Sequence, residues 1–322
     1  MVTPKRPSFC FLLKSYMNDF QYTERLIKSY NKFNVDNINL YVVVPIEDIE
    51  QFSIFKSEVI HILSDELFSG ETIADGTNGS TIGYLNQEII KLEFGNLGFA
   101  DNWMCLDSDG EFLRNFAFSD FMYNELTPYT VLVEDNELRV DRAYFRQIWQ
   151  ERMRKIERIA NELNFTDKPI LTCHGFQILS QKVISDLRLN FMNPRGFKTA
   201  DLLAIAPYEF SWYNIWLQKS KSIEIHYREP YFKCFHNQRQ HLAYLSQGIT
   251  RNDIARGYLG IVVNSNFSRD FGIVDYEQRE LYELPLSDLC DESLRLIHLW
   301  LKKVRKLFSK SLIRLIKDYF NK

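Results

Sequence analysis

Residues 103–109 read Trp-Met-Cys-Leu-Asp-Ser-Asp, an apolar run that stops abruptly on two acids. Four apolar residues in a row, with no polar alternation, describe a strand buried on both faces. The same form recurs upstream at residues 8–13 (SFCFLL), 39–44 (NLYVVV, closed by Pro45) and 59–63. Helical patterns separate these runs. Residues 20–33 place Leu26, Ile27, Tyr30 and Phe33 on one face, 47–55 read as a short helix, and 81–94 follow a Gly-rich loop over 69–80. Buried strands alternating with helices predict an α/β fold: a mostly parallel, Rossmann-related sheet with helices on both faces. Ligands of such sheets bind at the carboxyl ends of the strands. Two polar clusters fall there, Lys14–Asp19 after the first strand and Asp107–Asp109 after the fourth.

The second half of the chain is more mixed. Strands are expected over 129–134, 170–173 and 258–263 (YLGIVV), the second ending at His174 and Gly175. Helices are expected over 141–163, 178–189, 209–218, 239–247 and 252–255, with one or two more over 286–322. Neither an internal repeat nor a low-complexity tract interrupts the pattern. The expected organisation is one large domain over 1–284 followed by a basic amphipathic segment over 285–322.

Composition narrows the function. The 322 residues are 45% hydrophobic and carry a formal net charge of -3, so no basic field calls for nucleic acid. Residues 301–322 nevertheless hold eight Lys or Arg against the single acid Asp318. Such a helix suits an anionic membrane surface, or packs on the domain with a solvated basic face. Five scattered cysteines with no CxxC pair argue against a disulfide framework or structural zinc, and for a reducing compartment. The apolar run 9–13 is too short for a signal-peptide core, and no stretch approaches a membrane span. A cytoplasmic protein is expected, with peripheral contact to the inner face of the cell membrane as an option for the last segment.

The chemistry centres on Asp107 and Asp109. Carboxylates at i and i+2 on an extended backbone point to one face, so both reach a single cation. Hard Mg²⁺ or Mn²⁺ prefers such oxygens and keeps positions open for substrate phosphates. A cation there neutralises charge on a leaving diphosphate. The plainer alternative is a solvated turn or helix cap. A calcium loop is excluded, because Gly110 comes fourth where a glycine is needed sixth. A haloacid-dehalogenase-like phosphatase, with Asp107 as nucleophile, also begins with a strand and DxDGT. DSDGE resembles that motif, and Leu171-Thr172 imitates a second one. Glu111, however, replaces the Thr, and three strands precede the motif.

Several stretches together carry a more specific resemblance. They are K-SY-x-x-DF-x-x-x-ER-LI-x-SY (14–30), YVVVP-x-x-D-x-x-x-F (41–52), NQEIIKL (86–92) and the LDSD strand end. Later come HGFQILS (174–180), YEFSWYNIW (208–216) and GYLGIVVNSN (257–266). With these the chain resembles a bacterial family of GT-A-like glycosyltransferases of unknown specificity, similar to enzymes of surface polysaccharide synthesis. The resemblance implies a nucleotide-sugar donor, Mn²⁺ or Mg²⁺ as cofactor, and a glycan or lipid-linked acceptor.

Roles follow residue by residue. The resemblance places the nucleoside against Ser15, Tyr16 and Asp19, although Asp19 equally suits a helix cap. Gln87 and Lys91, i and i+4 on one helix face, point at donor hydroxyls and phosphate, or else form a solvent-facing stripe. Ser108 joins the donor-binding group. His174 is the expected third ligand beside Asp107 and Asp109, with His236 and then His226 as competitors. Glu209 and Asp201 are the candidate bases for an acceptor hydroxyl, with Trp212 and Tyr213 as a sugar-stacking wall. The alternative for all four is helix capping and core packing. A non-catalytic sugar-binding protein on the same fold stays open beside the enzyme.

Overall fold

The structure is a computed structural model that describes residues 7–73, 82–133, 150–170, 176–236 and 238–264. Residues 171–173 of the expected 170–173 strand, His174, the start of the 141–163 helix, part of the 69–80 loop and everything from 265 onward lie outside these residues. The proposed boundary at 284/285 and the basic segment 301–322 therefore lie outside them too.

The chain forms a mixed α/β fold around a five-stranded sheet flanked by helices. Its strands are β1 (Phe9–Lys14), β2 (Leu40–Val44), β3 (Ile60–Ser64), β4 (Asn102–Leu106) and β7 (Ile178–Ser180), in the order β3-β2-β1-β4-β7. The first four pair in parallel and β7 closes the edge antiparallel. The second sheet, ordered β5-β10-β9, joins β5 (Gly110–Phe112), β9 (Phe232–Phe235) and β10 (Gly260–Val263). The short strands β6 (Tyr129–Thr130) and β8 (His226–Tyr227) pair with each other.

The helices in chain order are α1 (Phe20–Phe33), α2 (Ile49–Phe52), α3 (Ile82–Glu93), α4 (Phe118–Phe121) and α5 (Gln150–Glu162). They continue with α6 (Gln181–Leu187), α7 (Thr199–Ile205), α8 (Glu209–Ser220), α9 (Gln238–Ser246) and α10 (Arg251–Gly257). None of the described helices is long and apolar enough to cross a membrane.

Strand periodicity decides which residue serves which layer. Cys10, Leu12, Tyr41, Val43, Trp103 and Cys105 point to one face and pack with α3, α5, α6, α7 and α8. Phe9, Phe11, Leu13, Leu40, Val42, Met104 and Leu106 point to the other, against α1, α2, α4 and the second sheet. Each such side chain taken fully out of water contributes about 1.5–3 kcal/mol. α1 docks by Tyr22, Leu26, Ile27 and Tyr30, the spacing of one helical face. It ends at Asn34, whose amide both donates to and accepts from the backbone of Ile38 at 3.0 Å and so turns the chain toward β2.

The first four strands and α1 match the sequence pattern within a residue or two. The second half differs more. Ile178–Ser180 is a strand, not the start of a helix, because its amide and carbonyl groups complete the open edge of β4. Among the described residues of the expected 129–134 strand, Tyr129–Thr130 form a strand and 131–133 do not. Strands β5, β8 and β9 and helices α4 and α7 are additions to the expected set.

Gly260 opens β10, the middle strand of the second sheet. A Cβ there would sit 2.4 Å from the Glu111 carbonyl oxygen of β5 and 2.3 Å from the Phe232 ring of β9. Neither neighbour yields cheaply, since one is backbone and the other a buried ring. Gly260→Ala is expected to cost about 1–3 kcal/mol, read as a lower urea midpoint at unchanged slope.

Candidate active site

In the main sheet the chain winds from β1 to β2 and β3 on one side, then crosses back to place β4 on the other. The topological switch point therefore lies between β1 and β4, and their carboxyl ends flank the crevice where such sheets bind ligands. Residues 15–19 leave β1 and residues 107–109 leave β4 at this point.

Asp107, Ser108 and Asp109 form a tight turn, closed by the Gly110 amide donating to the Asp107 carbonyl at 3.0 Å. The extended backbone expected here is corrected by this turn. β5 begins at Gly110 and must reach β10, so the chain has three residues in which to leave one sheet and enter the other. Gly110 suits that passage, because a Cβ would lie 2.9 Å from the Phe176 ring. The three side chains diverge in their partners. Asp107 turns toward α3, Ser108 donates to Asp19 Oδ2 across the switch point at 3.0 Å, and one oxygen of Asp109 is buried.

Asp107 Oδ1 receives Gln87 Nε2 at 3.3 Å and faces Lys91 Nζ at 3.4 Å. Lys91 also contacts Glu209 Oε1 at 3.1 Å and Glu88 Oε2 at 3.6 Å. The Trp103 indole donates to the Lys91 carbonyl at 2.9 Å, fixing this part of α3 to β4. Lys91 thus serves buried carboxylates, and with 4% exposure it does not reach outward to a phosphate. Burial alone would strip its proton, but Asp107, Glu209 and Glu88 outweigh this and hold its pKa well above the usual lysine value. Burial and the Glu209 charge push the Glu88 carboxyl well above the carboxylate range despite Lys91. Burial would also raise Glu209, yet the Lys91 ammonium and a hydrogen bond shared with Glu88 bring it below its ordinary value. Of this pair Glu88 is the acid pushed toward its protonated form and Glu209 the one held toward the carboxylate.

The remaining expected residues are distributed as follows. Ser15 is buried, sharing a 2.7 Å hydrogen bond with Thr23 that ties β1 to α1. Tyr16 is exposed at the crevice mouth, and Asp19 stands half-buried opposite Ser108. Asp201 is exposed and accepts the Lys198 amide at 2.7 Å, the cap of α7. Trp212 and Tyr213 are core residues rather than a wall: the Trp212 indole donates to the Ala206 carbonyl, and the Tyr213 hydroxyl accepts the Ser180 amide. His226 stacks on Tyr123 and pairs with Glu224, away from the crevice. His236 follows β9, and the register Gly110↔Val262↔Cys234 brings it to the same sheet end as the turn.

Among the described residues no three His, Cys, Asp or Glu side chains form a metal-holding group. The donors at the turn are all oxygens, which suits a hard divalent cation held by few protein ligands and completed by water and phosphate. Two neighbours escaped the sequence pattern. Glu88 was visible only as an i, i+3 companion of Lys91. Glu111, set between Arg25 at 3.9 Å and Arg251, links β5 to α1 and α10 and needed tertiary contacts to be seen.

The chain belongs to the family of unknown function DUF6492, whose family model matches residues 9–246. No curated protein sequence matches it. Among solved structures, mouse xyloside xylosyltransferase 1 in its apo form is similar at 9% identity, with 80% of this chain and 98% of that chain covered and a TM-score of 0.45. An active-site mutant of LgtC is similar at 12% identity, covering 79% of this chain and 86% of that chain, also with a TM-score of 0.45.

The buried acid pair has a pH signature. Because the Glu88 carboxyl is raised in the folded state, this group binds more protons there than in the unfolded chain above the ordinary Glu pKa, and its contribution to stability falls as pH rises from there. Glu88→Gln mimics the protonated form. Its melting temperature is expected to match wild type near pH 4 and to exceed it increasingly toward pH 8, measured by thermal unfolding across that range.

Proposed function

We propose that the chain is a GT-A-type glycosyltransferase that moves a sugar from a nucleotide-sugar donor to a glycan or lipid-linked acceptor. The observation that carries this reading is the Asp107–Asp109 turn at the carboxyl end of β4, tied by Ser108 to Asp19 at the carboxyl end of β1. The motif resemblance over 14–30 and 86–109 supports the same activity. Asp107 and Asp109 would hold Mn²⁺ or Mg²⁺, with His236 and His174 as candidates for a further ligand. Bound there, the cation supplies charge neutralisation for the departing diphosphate.

The chain's own residues supply orientation. Tyr16 offers an exposed ring at the crevice mouth on which a base can stack, and Asp19 a carboxylate to accept hydrogen bonds from base or ribose. Gln87 and Lys91 hold Asp107 rather than the donor. Glu209, enclosed with Lys91, and Asp201, engaged as a helix cap, are both occupied elsewhere, so neither is assigned the base role. The surface-polysaccharide setting rests on the motif resemblance alone.

Thermal unfolding with Mn²⁺ and a panel of nucleotide sugars tests the proposal. One donor is expected to stabilise the protein only when Mn²⁺ is present, by about 2.7 kcal/mol at a hundred times its dissociation constant. Asp109→Ala should abolish that stabilisation and sugar transfer while the ligand-free melt stays cooperative. Release of phosphate from a phosphomonoester, with no response to any nucleotide sugar, would replace this reading by the phosphatase one. Binding of a donor without turnover would favour a sugar-binding protein.

A further inference from the structure

Lys91 joins three structural elements through one atom. Its Nζ lies 3.1 Å from Glu209 on α8, 3.4 Å from Asp107 on the turn after β4, and 3.6 Å from Glu88 on its own helix. The Phe210 ring, 5.0 Å away, helps to cover it. Of the three carboxylates only Asp107 reaches solvent, with its side chain 32% exposed against 6% for Glu209 and 3% for Glu88. Both contacts to Asp107 from α3 fall on Oδ1, so Oδ2 lies outside them.

We infer that Lys91, braced by Glu209, is a positioning residue that sets Asp107 for cation binding. This rests on the metal-dependent reading above. Two physical effects combine. The contact on Oδ1 limits the Asp107 rotamer, which a cation would otherwise have to order on binding. Glu209 also answers the ammonium charge, so the charge on Asp107 remains available to a cation instead of being cancelled by Lys91. Glu209 therefore acts on the cation through Lys91, without touching it. A single unbraced ammonium beside Asp107 would repel a divalent ion in a poorly screened site.

Two variants separate this role from simple fastening of α3 to α8. Glu209→Gln keeps the shape and a hydrogen-bond acceptor but removes the bracing charge. The double variant Lys91→Met with Glu209→Met removes both charges in similar volume, a replacement that buried pairs commonly tolerate. The Mn²⁺ dissociation constant is measured for each by titration calorimetry, and by the paramagnetic resonance signal of free Mn²⁺, with a thermal melt alongside. The expected result is at least tenfold weaker Mn²⁺ binding in Glu209→Gln, where the ammonium is left unbraced, and a loss of about threefold in the double variant, which frees the Asp107 rotamer but also removes the ammonium. If Glu209→Gln does not fold, the double variant decides by whether its own smaller loss is present. Wild-type binding with unchanged affinity in the folded variants overturns the positioning role and leaves the metal reading intact. Failure of the wild-type chain itself to bind Mn²⁺ overturns the metal reading and this inference with it.

Discussion

The passage from β4 to β5 constrains everything at the crevice. Three residues carry the chain out of one sheet and into another, and Gly110 must already be paired when they end. A turn this short fixes the direction of each side chain by backbone geometry. Asp107 is sent to α3, Ser108 to Asp19, and Asp109 is partly enclosed. The loop therefore has little freedom left to lose when a ligand arrives, which is the sense in which a site is preorganised.

That arrangement depends on support from far along the chain. Lys91 stays charged in the interior because Asp107, together with Glu209 that α8 brings from 118 residues away, outweighs its burial. A buried ion pair of this kind adds little net stability, since desolvation offsets most of its attraction. Its value lies in specifying where Asp107 stands. The same logic explains why the carboxyl of an additional acid, Glu88, is pushed upward: three full negative charges around one ammonium would leave an excess that the interior does not tolerate.

Much of the frame was legible in the sequence because it follows simple periods. The unbroken apolar runs of β1, β2 and β4, and the single apolar face of α1, leave few alternatives. The acids at 107 and 109 were found by their position after a strand, and the structure sets them at a switch point. What the periods did not carry was short or long-range. Ile178-Leu179-Ser180 merges with the apolar residues Val183, Ile184 and Leu187 into one helical pattern, and only the open edge of β4 divides it. Gly110-Glu111-Phe112 is too brief to announce a strand. Gln87 and Lys91 were placed on one helix face correctly, yet their direction toward Asp107 rather than outward depends on a partner that no local window contains.

Glu111 has a consequence for how the molecule responds to its surroundings. With Arg25 of α1 on one side and Arg251 of α10 on the other, it couples the early and late parts of the chain through ion pairs that are part-exposed, at 17–27% of their side-chain surface. The large apolar layers of the main sheet are indifferent to dissolved ions, whereas pairs that water can reach are screened by them. In brine the late sheet would loosen its seat first, and the mouth of the crevice would feel the change before the core did.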